Sequence, residues 1–271
     1  MTAGAWTSHP LFAAAGTWRT ECAGPLGLRA CCSSRGAFRD FRSLLRVPVN
    51  LSSHRARPTC AIVGASGTLL HSRHGRDIDS HDVVLRMNRA PTHNFERHVG
   101  RKTTARVLQM DAFAFDPRYG AAVRSSPLKQ YGVPRLVSCH PPFNGRCTLQ
   151  RMQQIFFNTT AGRAHLLSAD VARAASRRFV GVRQRSVTTG MLAIEAALRM
   201  RCDVVRLYGF ADGMCPRTCY HYYEHPCRFT EEHFFDRSLR ATAGFHDFTQ
   251  QANVLHTLNR SRAIVWVAPS C

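Results

Sequence analysis

Two histidines in the second half of the chain, His221 in His221-Tyr-Tyr-Glu224 and His246 in His246-Asp-Phe, carry the side chain best suited to proton transfer near neutral pH. Upstream lie two short segments of small and hydroxylated residues. Gly64-Ala-Ser-Gly67 follows the apolar run Cys60-Ala-Ile-Val63, and Thr188-Thr189-Gly190 precedes Met191-Leu-Ala-Ile-Glu-Ala-Ala-Leu198. Both read as phosphate cradles. Small residues such as Gly64, Ser66 and Gly67 let backbone N–H groups approach a phosphate or ribose, and a threonine can cap a helix whose first-turn amides bind an anion. Asn88 is a neutral donor–acceptor at the end of an apolar strand, where α/β sheets hold ligands. Together these groups suit chemistry on a nucleotide-linked sugar. Each has a plain structural alternative: the first loop as a tight turn, the threonines as caps alone, and two of 14 histidines as surface residues.

The elements that must position these groups follow from the apolar pattern. Cys60–Val63, Val83–Met87, Ala105–Leu108, Arg135–Cys139, Val204–Tyr208 and Ile264–Val267 read as short buried strands. Ala164–Ala175 and Met191–Met200 have helix-forming composition and spacing. Strands alternating with helices predict an α/β fold with a mainly parallel sheet covered on both faces. Gly, Ser, Pro and Arg interrupt every apolar run before residue 58, so residues 1–57 read as an irregular leader or stem and 58–271 as one catalytic domain.

Hydrophobic residues make up 44% and charged residues 20%, which excludes a disordered chain. The formal charge of +20 invites a nucleic-acid reading. Arg outnumbers Lys 35 to 2 and is scattered rather than clustered, so no nucleic-acid partner is expected. Eleven cysteines suggest an oxidising compartment, and the sequons at Asn50, Asn158 and Asn259 point the same way. No stretch in the first 60 residues reaches the roughly 20 apolar residues of a membrane span. Membrane association is therefore expected only through an anchor outside this chain.

Metal chemistry is not favoured. Asp77-Ile-Asp79 could hold a divalent cation, but no further acidic cluster accompanies it and hard cations need several oxygen ligands. Cys215, Cys219, His221 and Cys227 fit no common zinc spacing, and local disulfides are the better expectation. Cys202, which follows the second helix, could pair with Cys60 and would then staple both cradles around one ligand; composition leaves the pairing open.

Four ordered segments resemble the animal-type sialyltransferase family. Cys60 to about Gln109 is similar to its large motif and Ser186–Phe210 to its small motif. His221-Tyr-Tyr-Glu224 is similar to motif III, and His246-Asp-Phe-Thr-Gln-Gln251 to the very small motif. The resemblance implies a single GT-A-like, Rossmann-type domain in the Golgi lumen or secretory pathway. It also implies inverting, metal-independent transfer of sialic acid, or a related keto sugar acid, from a CMP-sugar to a glycan hydroxyl, with no cofactor. By the same resemblance Gly64, Ser66, Gly67, Asn88, Thr188, Thr189, Gly190 and Tyr222 would bind CMP. His246 would be the general base, His221 the partner of the departing phosphate, and Cys60–Cys202 a disulfide.

Two positions depart from the family pattern. Ala65 stands where the large motif usually has Asn, and Gln251 where the very small motif usually has Glu. Either change is compatible with a shifted donor, a slower enzyme or a catalytically silent CMP- or glycan-binding relative. A nicotinamide-dependent reductase is disfavoured because position 70 is Leu where a third glycine belongs, and the second strand ends in Asn88 rather than an acid.

Overall fold

The computed structural model describes residues 57–109, 135–138, 164–166, 169–179, 187–200, 202–233, 235 and 246–271. The leader expected before residue 58, Ser186, and the sequons at Asn50 and Asn158 lie outside them.

The described strands form one parallel sheet. They are β1 (Thr59–Val63), β2 (Val83–Met87), β3 (Ala105–Gln109), β4 (Arg135–Ser138), β5 (Ala164–Leu166), β6 (Val204–Tyr208) and β7 (Val265–Trp266). Their order across the sheet is β5-β4-β3-β2-β1-β6-β7, and every pairing is parallel. The chain therefore builds outward from β1 in one direction, then returns to lay β6 on its other side. The order reverses between β1 and β6, and loops at the carboxyl ends of such a switch point are where open α/β sheets bind ligands.

The helices are α1 (Gly75–Ser80), α2 (Glu96–Val99), α3 (Ala169–Phe179), α4 (Thr189–Arg199) and α5 (Phe248–Arg260). Alternate residues of the central strands feed two cores. Cys60, Ile62, Leu85, Val107 and Leu207 pack with Val171, Leu192, Ile194 and Leu255 from α3, α4 and α5. Ala61, Val63, Val84 and Tyr208 pack on the other face with Leu69, Ile78, Val99 and Tyr222. A sheet covered on both faces explains the near-continuous apolar strands. Helix α4 is buried from Thr189 to Ala197, Glu195 included. That carboxylate is bracketed by Arg178 at 2.8 Å and Arg199 at 3.0 Å, which is how a charge survives there.

The expected helix over Ala164–Ala175 is corrected. Ala164–Leu166 is an edge strand paired with β4, and α3 begins only at Ala169 and runs on to Phe179. Backbone bonds to β4 outweigh the helix propensity of these residues. The final strand is shorter than expected, Val265–Trp266, held against α5 by the Trp266 amide donating to Asn259 Oδ1 at 2.8 Å. The one described sequon asparagine thus ties a helix to a strand.

Candidate functional site

The glycine loop sits at the carboxyl end of β1, but it is not the open cradle expected from its composition. Gly64 N–H donates to Tyr208 O at 2.7 Å, Ser66 N–H to Gly209 O at 3.1 Å, and Gly67 N–H to Cys219 O at 2.9 Å. A Cβ on Gly64 would collide with the Gly209 carbonyl oxygen, and one on Gly67 would lie 2.5 Å from Cys219 O. The small residues are needed because the loop is pressed between the end of β6 and the 215–231 segment. Their amides serve the protein before any ligand.

Ser66 is buried and caps the 3₁₀ turn that follows, accepting from Thr68 N–H at 3.1 Å. Its hydroxyl donates to Glu231, 165 positions later, whose side chain is 1% exposed and whose Oε2 has no partner. Burial pushes the Glu231 carboxyl from 4.5 up to about 7; the Ser66 bond opposes the rise and the charge of Asp212 adds to it. Between those two values the folded protein holds a proton that the unfolded chain has released, so stability falls as pH rises through the window. Glu231→Gln is expected to remove that slope, on the order of 2–3 kcal/mol between pH 4.5 and 7.5. Urea unfolding at both pH values reads it directly, and an unchanged slope in the variant would assign the effect elsewhere.

Asn88 closes β2 with φ 45°, a left-handed conformation that asparagine tolerates better than most residues. Its amide donates to Val107 O at 2.8 Å, and Arg106 Nη1 donates to the carbonyls of Asn88 and Ala90 at 3.1 and 2.9 Å. Arg106 faces Arg86 in the strand register, and both are 1% exposed. Arg86 donates to Lys102 O and Thr103 Oγ1, and burial lowers its guanidinium to about 10. Arg106 supports the Asn88 turn and Arg86 the Lys102–Thr103 segment before β3, roles that a lone Arg in an apolar strand does not announce.

Thr188 is the N-cap of α4, accepting from Met191 N–H at 3.4 Å. Thr189 is buried behind it, and a Cβ on Gly190 would lie 2.8 Å from the Phe210 ring. Phe210 follows Gly209, which holds the Ser66 amide, so the hydroxyl pair and the glycine loop meet at the ends of β1 and β6. Thr188 also donates to Gln251 Oε1 at 2.8 Å, drawing the start of α5 to the start of α4. Asp247 caps α5 by accepting from Gln250 N–H at 2.7 Å, and His246 stands immediately before it.

His221 lies two residues past Cys219, whose carbonyl holds Gly67, and one before Tyr222, whose amide donates to Ala65 O at 2.8 Å. Its Nδ1–H donates to Glu224 Oε1 at 2.5 Å, which orients the ring. A chain of ring contacts joins the two histidines: His221 to Tyr220 at 4.5 Å, Tyr220 to Phe248 at 5.9 Å, and Phe248 to His246 at 5.9 Å. Both imidazoles therefore belong to the same end of the sheet as the two loops. Tyr222, like Ser66 and Thr189, is buried; it packs edge-on against Phe95, and its hydroxyl donates to Pro91 O. Burial raises its phenol well above the usual range.

Cys60 and Cys202 form a disulfide. Cys60 is the second residue of β1 and Cys202 precedes β6, so the bond lies at the amino ends of the strands, roughly 13 Å of extended chain from Gly64. It staples two neighbouring strands rather than two cradles around a ligand. Cys219 pairs locally with Cys227, whereas Cys215 reaches Cys271, 56 positions away. Asp77 accepts from the Tyr208 hydroxyl at 2.6 Å, and Asp79 from the amides of Arg101 and Lys102 at 2.8–2.9 Å. Among the described residues no group of three His, Cys, Asp or Glu side chains converges as a metal site.

The parallel sheet covered by helices, with both loops and both imidazoles at its switch point, is a fold of the GT-A-like class. The chain belongs to glycosyltransferase family 29 (sialyltransferase), whose model matches residues 15–263. It is 29% identical over 205 residues to the mouse CMP-N-acetylneuraminate-beta-galactosamide-alpha-2,3-sialyltransferase 2, covering 76% of this chain and 55% of that protein. A shorter match, 54% over 56 residues, is to zebrafish beta-galactoside alpha-2,6-sialyltransferase 2, covering 21% of this chain and 11% of that protein. The chain thus spans about half the length of the curated relatives it matches over most of its extent. The crystal structure of a mammalian sialyltransferase superposes with a TM-score of 0.58 at 23% identity, over 100% of this chain and 92% of that one.

Proposed function

We propose that this protein transfers sialic acid, or a related keto sugar acid, from its CMP-activated form to a hydroxyl of a glycan on a glycoprotein or glycolipid. The observation that carries the reading is the meeting of the hydroxyl pair at 188–189, the glycine loop and both imidazoles at one end of the sheet in a chain of this family. The mouse relative's name gives CMP-N-acetylneuraminate and a beta-galactosamide, and the zebrafish relative's name a beta-galactoside.

In this reading the bond from the anomeric carbon to the phosphate oxygen breaks as the acceptor oxygen bonds to the opposite face, so configuration inverts. His246, neutral, takes the acceptor proton. His221, oriented by Glu224, donates a hydrogen bond or proton to the phosphate of the departing CMP. No metal is assigned a role, because CMP leaves as a monophosphate and the imidazole and helix amides supply its stabilisation. Asn88, Thr188, Thr189 and Gly190 line the nucleotide; Gly64, Ser66 and Gly67 shape the wall behind it, and Tyr222 supports that wall from the core. Three disulfides among the described residues suit a secretory compartment, with the Golgi lumen as the proposed location. No described helix is long and apolar enough to cross a membrane.

A second reading, a catalytically silent relative that binds CMP or glycan, is favoured by Ala65 and Gln251. Incubation of purified protein with each CMP-sugar and a glycan panel, read by mass spectrometry, separates the two. Transfer is expected with at least one CMP-linked acid sugar; binding of CMP without any product leaves the silent reading.

A further inference from the structure

We infer that Asn259 is a glycan attachment site, an assignment that rests on the secretory location proposed above. Asn259-Arg-Ser261 has the Asn-X-Ser pattern that accepts an N-linked oligosaccharide. All three residues are exposed, in the last turn and the C-cap of α5. Helix ends fray more readily than helix interiors, so this segment can open without disturbing the buried Gln251, Ala252 and Leu255. The sequon also stands close to the end of the chain at Cys271, so it reaches the lumen after strands β1 to β6. Access in a largely folded chain therefore matters, and exposure supplies it.

The Asn259 carboxamide divides its two polar atoms. Oδ1 accepts from the Trp266 amide at 2.8 Å, whereas Nδ2 makes no hydrogen bond among the described residues. Alternate amides of a strand face opposite sides, and Val267 N–H is the one that donates to Leu207 O of β6, at 3.0 Å. The Trp266 amide therefore points away from β6, and Asn259 caps the outer side of β7, an edge strand among the described ones. Glycosylation leaves that cap in place. The bond from the sugar C1 to the diphosphate of a lipid-linked donor breaks, a bond from C1 to Nδ2 forms, and one N–H proton passes to solvent. Oδ1 remains an amide carbonyl able to accept from Trp266. The oligosaccharide then lies beside the outer edge of β7, where a bulky hydrophilic group hinders pairing with a strand of another molecule.

The test directs the full chain into the secretory pathway of animal cells with a cleavable signal peptide. The recovered protein is deglycosylated enzymatically in heavy-oxygen water, which converts a glycosylated Asn to labelled Asp, and the tryptic peptide ending at Arg260 is read by mass spectrometry. Label at Asn259 is expected on most molecules of the wild-type protein. It should be lost in Ser261→Ala, which breaks the sequon but keeps the carboxamide that holds Trp266. The Cys60–Cys202 bond is measured by peptide mapping on the same sample. An unlabelled Asn259 in protein that carries this disulfide overturns the assignment and leaves the secretory reading intact. Label that persists in Ser261→Ala does not come from the sequon and overturns it as well. Protein recovered with both cysteines reduced after passage through the lumen removes the secretory reading and this assignment with it. The wild-type measurement decides the question by itself if Ser261→Ala is not recovered folded.

Discussion

His246→Ala is expected to lower sialyl transfer by about 10²–10⁴-fold while leaving CMP affinity nearly unchanged. The ring stands one residue before the Asp247 cap of α5, and the Gln251–Thr188 bond holds that helix start against the start of α4. Removal of the imidazole deletes the group proposed to take the acceptor's proton but none of the side chains proposed to bind CMP. The fall should therefore appear in kcat. His221→Ala serves as the contrasting variant. Its ring is tied to Glu224 and assigned to the leaving phosphate, so its loss should weaken CMP as well as slow transfer. Transfer that survives His246→Ala within a few-fold would remove this residue from the role of base.

The double variant Cys60→Ala/Cys202→Ala is expected to lower stability by up to about 5 kcal/mol, the loop-closure entropy for a separation of 142 residues. For a domain of this size that corresponds to a fall in Tm of roughly 10–20 °C. Cys60 is fully buried in the strand that carries the glycine loop, and Cys202 leads into the strand that carries Gly209 and Phe210. Because the bond lies at the amino ends of both strands, its removal should leave CMP affinity little changed below the melting transition. Thermal unfolding and calorimetry on one sample distinguish the two effects. A drop in CMP affinity without a drop in Tm would mean that the disulfide acts on the pocket after all.

Much of this architecture was legible without coordinates because the central strands announce themselves. Val83–Met87 and Val204–Tyr208 are bounded by Asp, Asn or Gly and have the apolar content of strands buried on both faces. The edge of the sheet was not legible. Ala164-His-Leu166 has a composition that suits a helix, and only the neighbouring β4 makes it a strand. The site divides in the same way. Thr188, His221 and His246 could be named from residue type and motif, since their chemistry is intrinsic to the side chain. Glu231 and Arg106 could not. An acid in Thr230-Glu231-Glu232 looks solvated until Ser66 is brought onto it from 165 positions away.

The amino-acid sequence alone determined the fold class, the order along the chain of every described strand but β5, and the residue types suited to cradling a nucleotide and moving a proton. Those properties reside in local composition and in individual side chains. Tertiary structure alone decided which groups remain available to a ligand. It turned the glycine-loop amides onto the protein's own carbonyls, placed the Cys60–Cys202 bond at the opposite end of β1 from the glycine loop, and left the buried Nε2 of Gln251 without a hydrogen-bond partner. Each outcome depends on a partner distant in sequence. Hydrogen-bond satisfaction is set by the neighbours a group meets in space, which residue type does not encode.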